Sequence, residues 1–225
     1  MTPCIQCKYE LAPDFRFCPR CGVPAAKNIP DQYLLARKAM EGRMEGGPVG
    51  PAIETLLKAY ALGLRDAHVL CGLGILYYRL GDIGKATKYL EEAIALKPNF
   101  PEALYDLALT YYRGGQIHKT IATMERCLKL SPDYAAAHYW IGIANYHLGV
   151  NFASLGQYDK AIANFKLVVE NCPEDEAAFY HLGMAYYESN KIPEATAIFK
   201  HCAELDAGDR RAAQMLEMLT NVPGV

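Results

Sequence analysis

Two adjacent stretches decide the fold: residues 67–100, AHVLCGLGILYYRLGDIGKATKYLEEAIALKPNF, and residues 101–134, PEALYDLALTYYRGGQIHKTIATMERCLKLSPDY. Each has 34 residues, and the two align without a gap. In both, apolar residues recur at helical spacing, a glycine interrupts the middle and a proline stands near the end. The aligned residues are Leu70, Leu73, Gly74, Tyr77, Gly81, Ala86, Leu90, Ala93 and Pro98 with Leu104, Leu107, Ala108, Tyr111, Gly115, Thr120, Met124, Cys127 and Pro132. The pattern predicts helix pairs that stack and bury one another's apolar faces.

The same period extends to both sides of these stretches. Residues 33–66 form a degraded repeat with GGPVGP as its turn. Residues 135–175 form a repeat that is seven residues too long, and residues 176–209 form a full repeat. Repeat positions are occupied by Ala36, Ala39, Ala52, Leu56 and Ala59 in the first, and by Phe179, Leu182, Gly183, Tyr186, Ala195, Phe199 and Cys202 in the last. Residues 210–220 read as a capping helix in which Ala213, Leu216 and Leu219 cover the last repeat, while Arg210, Arg211, Gln214 and Glu217 are polar.

These repeats resemble the tetratricopeptide repeat (TPR) family over about residues 33–220. The resemblance implies an all-α solenoid, a right-handed superhelix of about five helix pairs plus the capping helix, with the first helix of each pair lining a concave groove. Small residues at the helix crossings are expected to allow close approach, namely Gly74, Ala86, Gly142, Ala161 and Gly183. Such folds present a surface to other proteins rather than a reaction centre.

In this family the fifth, ninth and twelfth residues of each repeat commonly face the groove. Here these positions are Cys71, Ile75, Tyr78, Tyr105, Leu109, Tyr112, Tyr139, Ile143, Tyr146, Tyr180, Met184 and Tyr187, with Arg79, Arg113 and His147 on the shoulder. The stripe suits a partner peptide or helix with apolar anchors. Family-typical packing is the alternative reading. The ninth position favours a groove for apolar ligands, because it is often Asn in the family and is apolar four times here.

Two further features of the repeats bear on function. The family's two-carboxylate clamp for chaperone tails needs Lys, Asn and Arg at groove positions, whereas the fifth positions here are Arg37, Cys71 and Tyr105, so no clamp is expected. The extra residues of the fourth repeat keep a helical stripe through Leu148, Phe152 and Leu155. They predict one lengthened first helix, whose projecting turn with Asn151 and Phe152 is either a second contact or a bulge without consequence.

The N-terminus carries a different motif, C-x2-C-x10-C-x2-C, formed by Cys4, Cys7, Cys18 and Cys21. Each Cys-x-x-Cys pair forms a turn that presents two thiolates. The two turns together supply four thiolates to one tetrahedral metal and leave no open coordination position. Residues 1–25 resemble the bacterial and archaeal zinc ribbon, except that Lys8 replaces the usual Gly. The resemblance implies a small β domain folded around a structural Zn²⁺, followed by a linker at 26–32. A redox role for the cysteine pairs is the alternative.

Composition restricts the class of protein. A net charge of −2 gives no bulk field towards nucleic acid, and no apolar run reaches the roughly 18 residues of a membrane span. The start of the chain lacks the pattern of a secretory signal. The other cysteines, Cys71, Cys127, Cys172 and Cys202, lie far apart, which favours a reducing, cytoplasmic location over disulfides.

Residues typical of catalysis are scattered. No His pair has metal-binding helical spacing, and the GGPVG segment at 46–50 lacks the Lys and strand of a phosphate loop. His138 is expected to be a satisfied core residue, Cys127 and Cys202 to be core, and Cys71 to face the groove.

The sequence therefore predicts a non-enzymatic adaptor that binds one or more protein partners through its groove. The alternative is a nucleic-acid-associated factor that uses the ribbon, where Lys8, Arg16, Arg20 and Lys27 outnumber Glu10 and Asp14. No strongly basic stripe supports nucleic acid as the main partner. Homo-oligomerisation through groove or cap stays open, and the identity of the partner is not encoded in any motif.

Overall fold

The structure, a computed structural model, describes residues 2–3, 10–11, 49–61, 66–206 and 210–220. Two short strands, β1 (Thr2–Pro3) and β2 (Glu10–Leu11), pair antiparallel, with Thr2 opposite Leu11. The four metal-spaced cysteines, the linker and the first helix of the degraded repeat lie outside the described residues, so the zinc ribbon stays a prediction. The chain divides into two compact units, residues 1–110 and 111–225.

The described helices of the first unit are α1 (Val49–Ala61), α2 (Ala67–Leu80), α3 (Ile83–Leu96) and the part of α4 (Pro101–Arg113) that ends at Thr110. Ile53 and Leu56 of α1 pack in one core with Leu73 and Leu76 of α2. The prediction that GGPVGP (residues 46–51) forms a turn is wrong for its last three residues, because α1 already begins at Val49. Pro51 fits there, since the first helical turn has no intrahelical use for the missing N–H.

The second unit contains α5 (Ile117–Leu130), α6 (Ala135–Phe152), α7 (Leu155–Asn171), α8 (Glu176–Glu188), α9 (Ile192–Leu205) and α10 (Arg210–Thr220). From α5 to α10 each helix packs on the next, and α6 also contacts α8. One core extends from α6 to α10, built around the fully buried rings of Phe165 and Phe199. This succession confirms a stacked helical repeat.

Sequence-local signals begin and end the helices. The carboxylates of Asp66, Asp82 and Asp175 accept hydrogen bonds from the N–H groups of His68, Lys85 and Ala178, which satisfies N–H groups of the first turn that have no helical partner. Between the helices of each described pair one residue has positive φ, as the central Gly of the repeat predicts. These residues are Gly81 (φ 81°), Gly115 (φ 72°), Ala153 (φ 47°) and Asn190 (φ 60°).

The fourth-repeat turn is strained, because an alanine at positive φ brings its Cβ against the following carbonyl. We expect Ala153→Gly to raise the free energy of unfolding by about 0.5–1 kcal/mol, the relief being partly offset by the greater freedom of glycine in the unfolded chain. Urea unfolding measures this. The control Ala213→Gly, at an exposed position inside α10, should lower the same quantity by about 0.5–1 kcal/mol. Equal effects of the two substitutions would contradict strain at Ala153.

Small residues allow the helices of a pair to approach closely, as expected from the sequence. A Cβ built on Gly74 would lie 2.5 Å from Leu90 Cγ, and one on Gly142 would lie 2.7 Å from the ring of Phe165. On Gly183 it would lie 2.8 Å from the ring of Phe199. Each glycine therefore accommodates a large side chain of its partner helix.

The extra residues of the fourth repeat lengthen both helices of that pair, not only the first. Helix α6 has 18 residues and α7 has 17, against 13 or 14 in the other described repeats. The predicted apolar stripe ends at Leu148, because Phe152 is 71% exposed and Leu155 is 61% exposed. The last close approach is made by Gly149, where a Cβ would lie 2.6 Å from the ring of Tyr158. That contact explains a glycine inside the lengthened helix.

The capping helix packs through Leu216 and Leu219 as predicted, but the prediction for Ala213 is wrong. Ala212 and Leu219 are buried and Met215 and Leu216 are half-buried against the core, whereas Ala213 is exposed. Positions 212, 215, 216 and 219 follow the i, i+3, i+4, i+7 rule, and Ala213 lies about 100° away from that stripe.

Candidate functional site

The groove positions of the first unit are only partly open. Ile75, Tyr78, Tyr105 and Leu109 are half-buried. The prediction that Cys71 faces the groove is wrong: the residue is 5% exposed, and its Sγ lies 3.9 Å from Oδ2 of Asp106. An acidic side chain on the neighbouring first helix thus covers the thiol.

The second unit collects aromatic side chains from three successive first helices. We call Tyr112, Tyr139, Trp140, Tyr146 and Tyr180 the tyrosine face; all five are half-buried. Met184 and Tyr187 are also half-buried. Ile143, predicted for the same groove, is only 6% exposed and belongs to the core, because its side chain joins the cluster around Phe165.

Trp140 belongs to this face and was not among the predicted groove residues. Its ring centroid lies 5.0 Å from that of Tyr112 and 5.9 Å from that of Tyr139, with interplanar angles of 62° and 85°. It occupies the sixth place of its repeat, outside the positions used for the prediction. Its being the only tryptophan of the chain was the available signal.

Histidine and arginine side chains border the tyrosine face. The His147 ring lies 5.8 Å from that of Tyr112 and 5.9 Å from that of Tyr146. The His181 ring lies 5.8 Å from that of Tyr139. Arg211 of α10 places its guanidinium carbon 4.8 Å from the ring centroid of Tyr180, a cation–π distance. Arg211, predicted only as a polar residue of the capping helix, therefore contacts the tyrosine face.

Three phenols of the tyrosine face have a raised pKa. Burial raises the pKa of Tyr112, and burial with the Asp175 carboxylate raises that of Tyr139. Burial, with smaller contributions from Glu188 and neighbouring phenols, raises the pKa of Tyr146 to about 12. The structure gives the hydroxyls of Tyr112, Tyr139, Tyr146 and Tyr180 no hydrogen-bond partner within the described part of the chain, and none of these oxygens is fully buried. A phenol hydroxyl can both donate and accept a hydrogen bond.

His181 makes stability depend on pH. Burial lowers its pKa, Arg211 and His147 lower it further, and Asp175 opposes them. The unfolded state therefore binds a proton more readily than the folded state, so stability present above the ordinary pKa of 6.5 is lost as the pH falls through the folded pKa. We expect the loss of unfolding free energy between pH 7.5 and 5.5 to be smaller in His181→Gln, measured by urea unfolding at both values. An unchanged loss would contradict this role.

The remaining candidates are structural. His138 is half-buried, with Nδ1 3.2 Å from Asn164 Oδ1 and Nε2 3.2 Å from the Pro132 carbonyl, so its ring is satisfied as expected. Cys127 and Cys202 are fully buried, as predicted.

Across the described ranges, no group of three His, Cys, Asp or Glu side chains is placed to hold a metal ion. None of the described helices combines the length and apolar character needed to cross a bilayer.

A stack of helix pairs with an aromatic face on its first helices defines the class, a helical repeat protein. Comparison with family models identifies which family of helical repeats the chain contains. Residues 76–115 and 151–190 match a model described as TPR repeat, and residues 102–134 and 176–209 match two described as tetratricopeptide repeat. Together these matches span more than half of the chain, which belongs to the tetratricopeptide repeat family. Repeats of this family support a role as a protein-interaction scaffold.

Solved structures share the fold at low sequence identity. A structure titled MamA 41-end from Desulfovibrio magneticus RS-1 is 22% identical, with a TM-score of 0.72 over 81% of this chain and 99% of that one. A structure titled MamA MSR-1 is 24% identical, with a TM-score of 0.68 over 79% and 97%. The comparison with curated proteins returned no match.

Proposed function

We propose that this chain is a non-enzymatic adaptor whose tyrosine face binds a peptide or helix of a partner protein. One observation carries the proposal: four tyrosines and the only tryptophan of the chain lie half-buried on three successive first helices. Among the residues that the structure describes, the four phenol hydroxyls have no hydrogen-bond partner. A ring that served only the core would be covered by its neighbours. Tyr, Trp and Arg are also the residues that dominate binding energy in protein interfaces.

The test is affinity capture from lysate of the source cells with the purified chain and two variants. Tyr112→Ala/Tyr180→Ala removes two rings of the face, and Phe152→Ala removes an exposed ring at the end of α6. We expect the double variant to lose at least tenfold of a specifically captured protein and Phe152→Ala to retain it. Circular dichroism verifies folding.

Each other outcome has a defined meaning. Loss with Phe152→Ala alone would move the site to the α6–α7 turn, and capture unchanged by both variants would contradict the tyrosine face. Capture that nuclease abolishes would favour the nucleic-acid alternative. A cytoplasmic location remains a prediction of the sequence.

We further propose a structural Zn²⁺ bound by Cys4, Cys7, Cys18 and Cys21. The spacing of the four thiolates supports it, since they complete a closed tetrahedral site. We expect elemental analysis to find one zinc ion per chain and Cys4→Ser/Cys18→Ser to lose it. The control Cys127→Ser changes a cysteine outside the C-x2-C-x10-C-x2-C motif and should retain the zinc. A metal-free parent chain whose cysteine pairs cycle with dithiothreitol would favour the redox reading.

A further inference from the structure

We propose that acid opens the tyrosine face: protonation of His181 moves its side chain out of the junction of α6, α7 and α8 and leaves Tyr139 unsupported. The face then binds its partner only while His181 is neutral. This inference rests on the proposed function, because it concerns the regulation of the same face. It is carried by the ring contacts of His181, by the charged groups around it and by its lack of a hydrogen-bond partner in the described part of the chain.

The His181 ring is part of the packing under the tyrosine face. It stacks on the ring of Phe165 of α7, with centroids 5.9 Å apart and planes at 18°. It meets the ring of Tyr139 of α6 edge to face, with centroids 5.8 Å apart. Tyr180, its neighbour along α8, lies 5.6 Å away at 75°. Since Phe165 is fully buried, the imidazole covers a core ring while it supports a ring of the face.

The charges around His181 oppose its protonation. Burial lowers the pKa of this imidazole most, and Arg211 of α10 and His147 of α6 lower it further. Asp175, at the N-cap of α8, acts in the opposite direction, and its carboxylate also accepts a hydrogen bond from the Ala178 N–H. Within the described ranges, α7 and α9 contribute no charged group to this balance. Protonation therefore adds a cation beside Arg211, with one carboxylate to offset it.

The hydrogen bonding of His181 favours the neutral ring as well. Neither ring nitrogen has a hydrogen-bond partner in the part of the chain that the structure describes. A neutral imidazole carries one N–H donor, whereas the charged form carries two. A charged donor without an acceptor is unfavourable away from water. Because His181 is partly exposed, rotation of its side chain brings both N–H groups to solvent while α8 stays folded.

Ring contacts connect His181 to the rest of the face. Tyr139 contacts both His181 and Trp140, with centroid distances of 5.8 and 5.9 Å. The Trp140 ring lies 5.0 Å from that of Tyr112. Departure of the imidazole removes one of the contacts that hold Tyr139, so this ring gains rotamer freedom. A partner must then order the ring on binding, which weakens its affinity.

The first measurement follows the emission of Trp140, the only tryptophan, in the full chain between pH 7.5 and 5.0. We expect one transition with a midpoint below 6.5, while circular dichroism shows that the helices remain folded. His181→Phe, which keeps a ring and cannot be protonated, should hold the emission at the parent's pH 7.5 value throughout. Arg211→Gln should raise the midpoint, because it removes a charge that lowers the pKa of His181. His118→Gln removes an exposed imidazole of α5 and, as the matched control, should leave the transition unchanged.

The second measurement repeats the lysate capture at pH 7.5 and 5.5 with the parent chain and His181→Phe. The partner of the face is the captured protein that Tyr112→Ala/Tyr180→Ala loses at pH 7.5. We expect the parent to lose at least tenfold of this partner at pH 5.5. His181→Phe should retain it at both pH values.

Emission that is independent of pH would overturn the inference, as would a transition that persists in His181→Phe or disappears in His118→Gln. A partner captured equally by the parent at both pH values would retain the adaptor and reject regulation by His181. A transition that depends on His181, with no captured protein lost in Tyr112→Ala/Tyr180→Ala, would reject the adaptor and keep the opening of the face by acid.

Discussion

Phe165→Ala is expected to lower the free energy of unfolding by about 3–5 kcal/mol, the range for deleting a buried aromatic ring. Phe165 is fully buried, and its ring fills the space that Gly142 leaves open. It also supports the tyrosine face, since its centroid lies 5.9 Å from that of Tyr139 and 5.9 Å from that of His181. The substitution removes transfer energy and leaves a cavity between α6, α7 and α8.

Urea unfolding followed by Trp140 fluorescence measures this, because the tryptophan lies in the same unit. The matched control is Phe152→Ala, the same chemical change at an exposed ring, for which we expect a change within about 0.5 kcal/mol. Comparable losses from the two variants would contradict the assignment of Phe165 to the core. We also expect Phe165→Ala to alter the Trp140 emission of the folded chain, since Tyr139 contacts both rings.

Gly183→Val is expected to cost about 3 kcal/mol, towards the upper end for overpacking a core. A Cβ at this position would lie 2.8 Å from the ring of Phe199, which is itself fully buried and unable to withdraw into solvent. The two helices α8 and α9 must separate, or the ring must leave its preferred rotamer.

Gly156→Val is the control, because a Cβ at Gly156 would have no neighbour within 4 Å. We expect a change within about 0.5 kcal/mol there, measured by the same urea unfolding. A second arm combines Gly183→Val with Phe199→Leu, which shortens the opposing ring. If Gly183→Val and Phe199→Leu together lose as much unfolding free energy as the sum of the two single losses, steric conflict between these residues is not the cause.

Much of the fold follows from sequence-local physics. The 34-residue period places the helix pairs, and small residues recur where helices cross. Gly74, Gly142 and Gly183 each meet a large side chain of the partner helix, as the pattern predicts. The columns of tyrosine at fixed repeat positions predicted an aromatic stripe on the first helices, and the half-buried side chains of Tyr112, Tyr139, Tyr146 and Tyr180 lie there.

What a repeat template cannot determine is how far each position is covered. Ile143 and Met184 hold the same repeat position, yet Ile143 is core and Met184 half-buried, because burial depends on the neighbouring helices. The Cys71 thiol is covered by the Asp106 side chain, and the Arg211 guanidinium lies over the ring of Tyr180.

The sequence by itself determined the helical repeat and the chemical identity of the stripe, since these depend on spacing within about 34 residues. Only the tertiary structure decided two other features: the division of the insertion between α6 and α7, and the place of Trp140 beside Tyr112. Each depends on side chains that meet from different helices. Local periodicity gives the direction in which a side chain leaves its own helix, but contact between helices decides what it touches.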